Sequence, residues 1–237
     1  MWTIKVLFIL VLCNNHIYGS SSDEEPELYY YGIEESERGL PACGARQACG
    51  TLLQRYWRPR ALLRLCRCRN RARCLAPAPP ERTMSLNNHA ELQFCSSTTD
   101  WPQCGFGETS LVVESDYDRM NPDELEEMHH RNIQLTPPNI TVNCQCLQPY
   151  YWKLKAKSEG TRSYQCGFLP VCRTGEFCGN VTSDLYALYQ SCLCPRHHIC
   201  VHNGGVVYHD ISEILYEGQG WKAYCQKVND TDSYEDY

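Results

Sequence analysis

The stretch CRTGEFCGNVTSDLYALYQSCLCPRHHIC, residues 172–200, sets the pattern of this chain. Its cysteines are spaced C-x5-C and then C-x-C-x5-C, and Cys225 follows after a longer gap. The same spacings, again with a glycine after the second cysteine, occur earlier at Cys43, Cys49, Cys66, Cys68, Cys74 and Cys95. A cysteine pattern that occurs twice, with only its gaps varied, indicates an internally repeated disulfide module.

Four cysteines between these two modules form an incomplete third copy: Cys104, Cys144, Cys146 and Cys166. In this copy the second cysteine is replaced at Ser110 and the fifth at Trp152. Cysteines that are lost together indicate a bonded pair, because the loss of one alone leaves a free thiol. We therefore expect the second and fifth cysteines to bond, which leaves three of the fifteen connectivities that six cysteines allow. A register in which Cys166 opens the last module is an alternative.

The C-x-C-x5-C spacing with a later closing cysteine is similar to the second half of the colipase and prokineticin scaffold. Applied to all three modules, this resemblance implies eight bridges: Cys43–Cys66, Cys49–Cys74, Cys68–Cys95, Cys104–Cys144, Cys146–Cys166, Cys172–Cys192, Cys178–Cys200 and Cys194–Cys225. The expected fold is small, disulfide-rich and mainly β. Its three related modules of short hairpins span residues 43–95, 104–166 and 172–225.

The two ends of the chain differ from the modules. Residues 1–19 have the features of a secretory signal peptide, with Lys5, an apolar run over residues 6–13 and the small residue Gly19. Cleavage removes Cys13 and leaves 17 − 1 = 16 cysteines, the even number that a closed disulfide framework requires. Residues 20–42 and 226–237 are predicted to be acidic tails, the first of them disordered. We expect a secreted, extracellular protein without a transmembrane segment.

The first module carries a dense group of arginines, nine between Cys43 and Cys74, in a stretch without acidic residues. Eight of them are candidates for binding an anionic surface: Arg55, Arg58, Arg60, Arg64, Arg67, Arg69, Arg71 and Arg73. Such a patch suits an anionic glycan, a lipid headgroup or an acidic receptor face. Nucleic acid is not an expected partner of a secreted protein. The alternative is that the arginines pair with the protein's own acidic tail.

Three further motifs lie within the modules. In the acidic insert of the middle module, Asn121 and Pro122 form a helix start, which predicts a short helix from Pro122 to about His130. Residues 199–208 are predicted to form a hairpin around the turn Asn203-Gly204-Gly205. Three sequons predict glycosylation on surface loops, at Asn139, Asn180 and Asn229.

No metal or other cofactor is expected. The paired histidines His129 and His130 are adjacent on the predicted helix and therefore point in different directions. Near His197 and His198, cysteines at disulfide spacing in a secreted protein favour bridges over zinc. The sequence contains no motif of a zinc protease, a nucleophile elbow, a phosphate-binding loop or a dinucleotide fold. We predict a protein that is not an enzyme, because little apolar core is available to hold a catalytic site rigid.

The signal peptide, the eight expected bridges and the repeated C-x-C modules resemble the large cysteine-rich scoloptoxins of centipede venom. This resemblance implies a venom toxin that acts on an extracellular target such as an ion channel or a receptor. Three disulfide modules also resemble arthropod secreted antagonists that sequester a growth factor, which implies an endogenous signalling protein as the alternative. A chitin- or glycan-binding extracellular protein is a further alternative, because such proteins also use a C-x5-C step with aromatic residues.

Overall fold

The computed structural model describes residues 25–31, 35–55, 58–69, 72–74, 78–87, 89–116, 122–147, 150–183, 187–204 and 209–228. The predictions for the signal peptide, for Arg71 and Asn121, and for Asn229 with the end of the second acidic tail fall outside these residues. Among the described residues, no helix combines the length and the apolar character needed to cross a membrane.

The described residues form three β-sheets, one for each cysteine module. The first sheet contains β1 (Glu27–Tyr30), β2 (Ala48–Leu53), β3 (Ala61–Arg64), β4 (Thr83–Ser85) and β5 (Ala90–Phe94). The second contains β6 (Thr109–Glu114), β7 (Asn139–Val142), β8 (Tyr150–Ser158) and β9 (Thr161–Phe168), with helix α1 (Pro122–His130) between β6 and β7. The third contains β10 (Phe177–Thr182), β11 (Leu188–Gln190), β12 (His198–His202), β13 (His209–Glu213) and β14 (Tyr216–Lys227). Two short 3-10 helices are Glu37–Gly39 and Pro80–Arg82.

The three sheets share one strand order. It is β3-β2-β5-β4 in the first module, β7-β6-β9-β8 in the second and β11-β10-β14-β12 in the third, and all these pairs are antiparallel. The first sheet gains β1, which pairs in parallel with β3, and the third gains β13, which pairs with β14. The predicted fold class is confirmed: a disulfide-rich, mainly β protein of three related modules, with one short α-helix in the middle insert among the described residues.

The position of the second cysteine has the same local structure in each module. A shift in strand register lies at Cys49 in β2, at Ser110 in β6 and at Cys178 in β10. Ser110 is fully buried, and its hydroxyl donates a hydrogen bond to the carbonyl oxygen of Tyr164 at 3.0 Å. In the middle module, therefore, a buried hydrogen bond occupies the place of a disulfide.

The positions of the fifth and the last cysteine also correspond between the second and third modules. Trp152 pairs with Cys166 across β8 and β9, as Cys200 pairs with Cys225 across β12 and β14. In every module the residue inside C-x-C forms an isolated parallel bridge with the residue before the first cysteine, namely Ala42–Arg67, Gln103–Gln145 and Val171–Leu193. The incomplete module therefore shares both pairings with the third module and the isolated bridge with the first, although it lacks one disulfide.

The structure joins sixteen cysteines in eight disulfides, with Cα atoms 5.0–5.9 Å apart. These are the eight pairs that the resemblance to colipase and prokineticin implies. The alternative register is absent from this set, since Cys166 bonds to Cys146 rather than opening the third module.

An apolar core joins the first two modules. Leu63 and Leu92 of the first sheet pack in it with Leu111 and Ile140 of the second, and all four are fully buried. The turn between β13 and β14 inserts Ile214 and Leu215 into the same core, with 4% and 7% of each residue exposed. The third module is thereby anchored to the other two through a hairpin tip, while its own centre is a cluster of bridges around Val181 and Ala223.

Residues 20–42 are predicted to be a disordered acidic tail, and this prediction is wrong for residues 27–30. These residues form β1, and Glu27 N–H donates to the carbonyl oxygen of Arg60 at 2.8 Å. Two adjacent tyrosines, Tyr29 and Tyr30, suit a strand, and Arg55 neutralises the charge of Glu27. At the other end, β14 continues to Lys227, so the second acidic tail does not begin at residue 226.

Of the predicted hairpin over residues 199–208, only the first strand and the start of the turn, up to Gly204, lie in the described part of the chain. β12 pairs with the C-terminal half of β14, with Val201 opposite Tyr224, and residues 205–208 lie outside the described part of the chain. Because β13 pairs with the N-terminal half of the same strand, β12 and β13 lie along one edge of β14 rather than facing each other. The helix prediction is confirmed, since α1 spans Pro122–His130.

Candidate functional site

A groove of about 560 Å³ lies between β1 of the first module and α1 of the second. Its lining comes from three segments and Glu35: residues 27–30 of β1, Arg55 with residues 58–59, and the α1 residues Leu125, Glu126, His129 and His130. Two modules therefore contribute to one concave surface. A cavity of this volume lies within the ordinary range of ligand sites in proteins.

One side of the groove is the outer edge of β1. Glu27 N–H faces β3, where it bonds to Arg60, and successive residues of a strand point their main-chain groups to opposite edges. The N–H and C=O groups of Leu28 and Tyr30 therefore face away from β3, and both residues line the groove. Within the described part of the chain, no strand pairs with this edge. Leu28 is 54% exposed, so the groove offers both main-chain partners and an apolar side chain.

The base of the groove is fixed by a buried cation. The guanidinium of Arg55 bonds to the carboxylate of Glu27, donates to the Pro59 carbonyl at 2.8 Å and to Tyr29 Oη at 3.2 Å, and lies 5.5 Å from the Tyr29 ring centroid. Hydrogen bonds from Arg55 and then from Tyr29 lower the pKa of Glu27. Arg55 therefore holds β1 and the 55–59 segment in a fixed relation, and its charge is already balanced.

The opposite wall is α1. Leu125 is buried against the core, and His129 and His130 lie at the C-terminal end of the helix, on the rim of the groove. His129 Nε2 lies 3.5 Å from the carboxylate of Glu35, and His130 Nε2 lies 3.8 Å from that of Glu126. The rim thus presents acidic and basic groups around an apolar centre, which suits a segment of a protein better than a small apolar molecule.

The arginines of the first module do not form one surface, so the predicted patch is wrong for Arg55 and Arg64. Arg64 is 2% exposed, bonds to Glu37 and donates to the Cys74 carbonyl oxygen at 2.7 Å. Each of these two arginines pairs with an acidic residue of the predicted tail, which is the alternative expected from the sequence. A buried guanidinium needs such a partner because an unpaired buried charge is costly.

The other arginines of this set remain nearer the surface. Arg60 is half-buried and Arg58 is exposed on the rim of the groove. Arg67, Arg69 and Arg73 are exposed beside the cysteine cluster, and no described acidic residue forms an ion pair with them. The prediction of an anionic-surface site therefore stays open for these exposed arginines.

Two of the predicted glycosylation sites lie in the described part of the chain. Asn139 Nδ2 donates to the carboxylate of Glu114 at 2.8 Å in an exposed contact. Asn180 is more constrained: its Nδ2 donates to Glu213 at 2.8 Å, and its Oδ1 lies 3.0 Å from His209 Nε2. A glycan on Asn180 would disturb a contact between β10 and β13, whereas one on Asn139 would extend into solvent.

Comparison with known proteins gives a likeness of fold. No family model matches the chain, and no curated protein matches it. Among solved structures, the crystal structure of unliganded Argos superposes with a TM-score of 0.51 and 16% sequence identity. The match covers 87% of this chain and 100% of the Argos chain. The chain is therefore similar in fold to Argos along nearly all its length, across all three modules.

Proposed function

We propose that this protein is a secreted, non-enzymatic antagonist that sequesters an extracellular protein ligand such as a growth factor. Eight disulfides are typical of an extracellular protein. The resemblance of the three modules to arthropod secreted antagonists supports the proposal. The fold shared with Argos supports it further, because the name of that structure, unliganded Argos, describes a protein that takes a ligand.

The observation that carries the proposal is the groove between β1 and α1. An extended segment of a partner can add to an exposed sheet edge, where main-chain hydrogen bonds give affinity and neighbouring pockets give specificity. We propose that a segment of the protein ligand pairs with the outward main-chain groups of Leu28 and Tyr30. The helix wall then contacts the side chains of the added segment.

A titration of signalling tests the function. Cells that carry a growth-factor receptor receive a fixed amount of growth factor and rising amounts of the purified protein, and receptor phosphorylation is measured. Sequestration predicts a loss of signal near equal molar amounts and its full return when more growth factor is added, because the antagonist removes free ligand. A panel of secreted growth factors in which none loses activity would overturn the proposal.

Two substitutions at Leu28 test the site. Leu28→Pro removes the outward N–H, while Leu28→Ala removes the side chain and keeps that donor. Strand addition predicts that Leu28→Pro weakens ligand binding by about tenfold or more, and that Leu28→Ala weakens it less. Equal affinities for Leu28→Pro and Leu28→Ala, measured by calorimetry, would contradict main-chain pairing at this edge.

The toxin and chitin hypotheses make different predictions. A toxin that acts on a channel or receptor would change cell responses in the absence of added growth factor, and its transcript would be confined to a venom gland. A chitin-binding protein would be retained on chitin beads. Transcripts in a developing epithelium, together with a signalling effect that requires growth factor, would support the antagonist hypothesis over both.

A further inference from the structure

A second cavity, of about 320 Å³, lies where the three modules meet. The first module contributes residues 85–87, the second contributes residues 150–152, and the third contributes residues 188–190 with Glu213 and Ile214. The cavity is distinct from the groove at β1, since the two share no lining residue.

Aromatic side chains dominate this cavity. Tyr150, Tyr151 and Trp152 come from β8, and Tyr189 comes from β11. Their polar atoms engage the protein in two places: Trp152 Nε1 donates to the Ser85 carbonyl oxygen at 3.4 Å, and Tyr189 Oη donates to that of Ile214 at 2.5 Å. These bonds tie the second module to the first and hold the third module's strand to its own hairpin tip. Two of the four rings, those of Trp152 and Tyr189, are thus held in place around the cavity.

One carboxylate accompanies the rings. Glu213 is half-buried, and one of its oxygens accepts a hydrogen bond from Asn180 Nδ2 at 2.8 Å. No described lysine, arginine or histidine forms an ion pair with it. Burial raises the pKa of Glu213, while the hydrogen bond from Asn180 acts in the opposite direction. A half-buried carboxylate without a cation has an unmet electrostatic requirement.

We propose that this cavity binds an organic cation, the ammonium or guanidinium end of a lysine or arginine side chain on a protein ligand. Aromatic rings attract such a cation through their quadrupoles, and the Glu213 carboxylate adds an opposite charge. The cavity volume is near the lower limit for ligand pockets, which fits one side chain rather than a folded segment. Only the protein source of the side chain rests on the proposed function.

The test uses free amino-acid derivatives, so its result does not depend on any growth factor. Calorimetry or NMR titration compares Nα-acetyl-lysinamide and Nα-acetyl-argininamide with the uncharged Nα-acetyl-norleucinamide, and tetramethylammonium serves as a small free cation. We expect the lysine or arginine derivative to bind about tenfold more tightly than norleucine. Equal binding of norleucine, or no binding of any cation, overturns the proposal. Binding by tetramethylammonium alone would also overturn it, because the cavity would then select a free cation.

Substitutions locate the binding within the cavity. Glu213→Gln removes the charge and keeps the acceptor for Asn180, so we expect a loss of about tenfold in affinity with the fold retained. Tyr150→Ala truncates a ring that is 51% exposed, and the expected loss is about threefold. The matched control is Asp210→Asn, an exposed charge removal on the same strand as Glu213. A loss for Asp210→Asn as large as that for Glu213→Gln would show an effect of net charge and contradict the site. If Glu213→Gln does not fold, the affinity of Tyr150→Ala for the lysine or arginine derivative tests the site instead. An affinity equal to that of the unsubstituted protein would then contradict the proposal.

Discussion

The second and third modules have the same strand order but are stabilised in different ways. The third closes with three disulfides and the second with two. Where the third module has the bridge Cys178–Cys200, the second has the buried hydroxyl of Ser110 and the ring of Trp152. The shared strand order therefore does not depend on a disulfide between the second and fifth positions.

The two modules also differ in what they bury. In the third module Gly179 follows the second cysteine, and a Cβ atom there would collide with the main-chain oxygen of Tyr189. In the second module the same position is Leu111, which is fully buried in the core shared with the first module. The third module centres instead on its own cysteine cluster. Apolar burial thus stabilises the second module, where the third module is stabilised by an additional disulfide.

The largest effect is expected from truncating the shared core. Ile140→Ala in the second module removes a fully buried side chain, and we expect a loss of about 4 kcal/mol in the free energy of unfolding. The matched control is Ile199→Ala in the third module, at a residue that is 51% exposed, where the change should stay within about 0.5 kcal/mol. Chemical denaturation measures both. Similar losses at the two sites would contradict the role of Ile140 in the core that the first two modules share.

Removal of one disulfide is expected to give the next largest loss of stability. The double variant Cys178→Ser with Cys200→Trp imitates the second module, and we expect it to be secreted with a loss of about 3 kcal/mol in the free energy of unfolding. Cys178→Ser alone should give a lower secreted yield, because it leaves Cys200 free to mispair. Secretion yield and chemical denaturation check the pair. A better yield from the single variant than from the double one would show that these cysteines are not partners.

The reverse change should have a smaller effect. Ser110→Cys with Trp152→Cys places cysteines at the second and fifth positions of the second module, and we expect a ninth bridge to form. The net change in the free energy of unfolding should stay within about 2 kcal/mol, since the gain from loop closure is offset by the loss of the Trp152 ring. Alkylation without reductant followed by intact mass reports the result. Two free thiols in a folded protein would mean that the positions do not correspond.

The smallest effect concerns pH. Burial raises the pKa of Glu213 above its unfolded value, so between the two values the folded state binds more protons than the unfolded state. Stability should therefore fall as pH rises through that window. Glu213 accepts a hydrogen bond from Asn180, which also contacts His209, and its charge acts on the Tyr151 phenol. The substitution Glu213→Gln leaves these three neighbours in place.

The variant Glu213→Gln tests this pH dependence. The stability of Glu213→Gln relative to the unsubstituted protein should increase as the pH rises above the ordinary pKa of a glutamate, because the variant has no charge to bury. Denaturation curves at several pH values supply the difference. A difference that is constant with pH would show that Glu213 does not titrate within the window.

Much of the module architecture could be predicted from the cysteines alone. Their spacing marks the copies, and the joint absence of cysteines at Ser110 and Trp152 indicates which positions bond. The start of α1 at Pro122 also follows from local signals. These features are predictable because each depends on residues near one another in the chain, or on a covalent pattern that repeats.

The contacts between distant segments could not be predicted in the same way. Arg55 and Arg64 appear as surface charges until their partners are known, and Glu27 and Glu37 lie 28 and 27 residues away. The outer edge of β1, with Leu28 and Tyr30, lies in a stretch whose acidic composition indicates a tail. The aromatic run at Tyr29–Tyr31 was the available signal, since tyrosine favours strands.

Peptide mapping of the non-reduced protein tests the disulfide connectivity of the three modules directly. The three modules as related copies require the bridges Cys49–Cys74 and Cys178–Cys200, with Cys146–Cys166 in the middle copy. Protease digestion and mass spectrometry should recover these linked peptides. A bridge from Cys49 or Cys178 to any other cysteine, or from Cys166 into the third module, would contradict the correspondence of the three copies on which the fold and the proposed function rest.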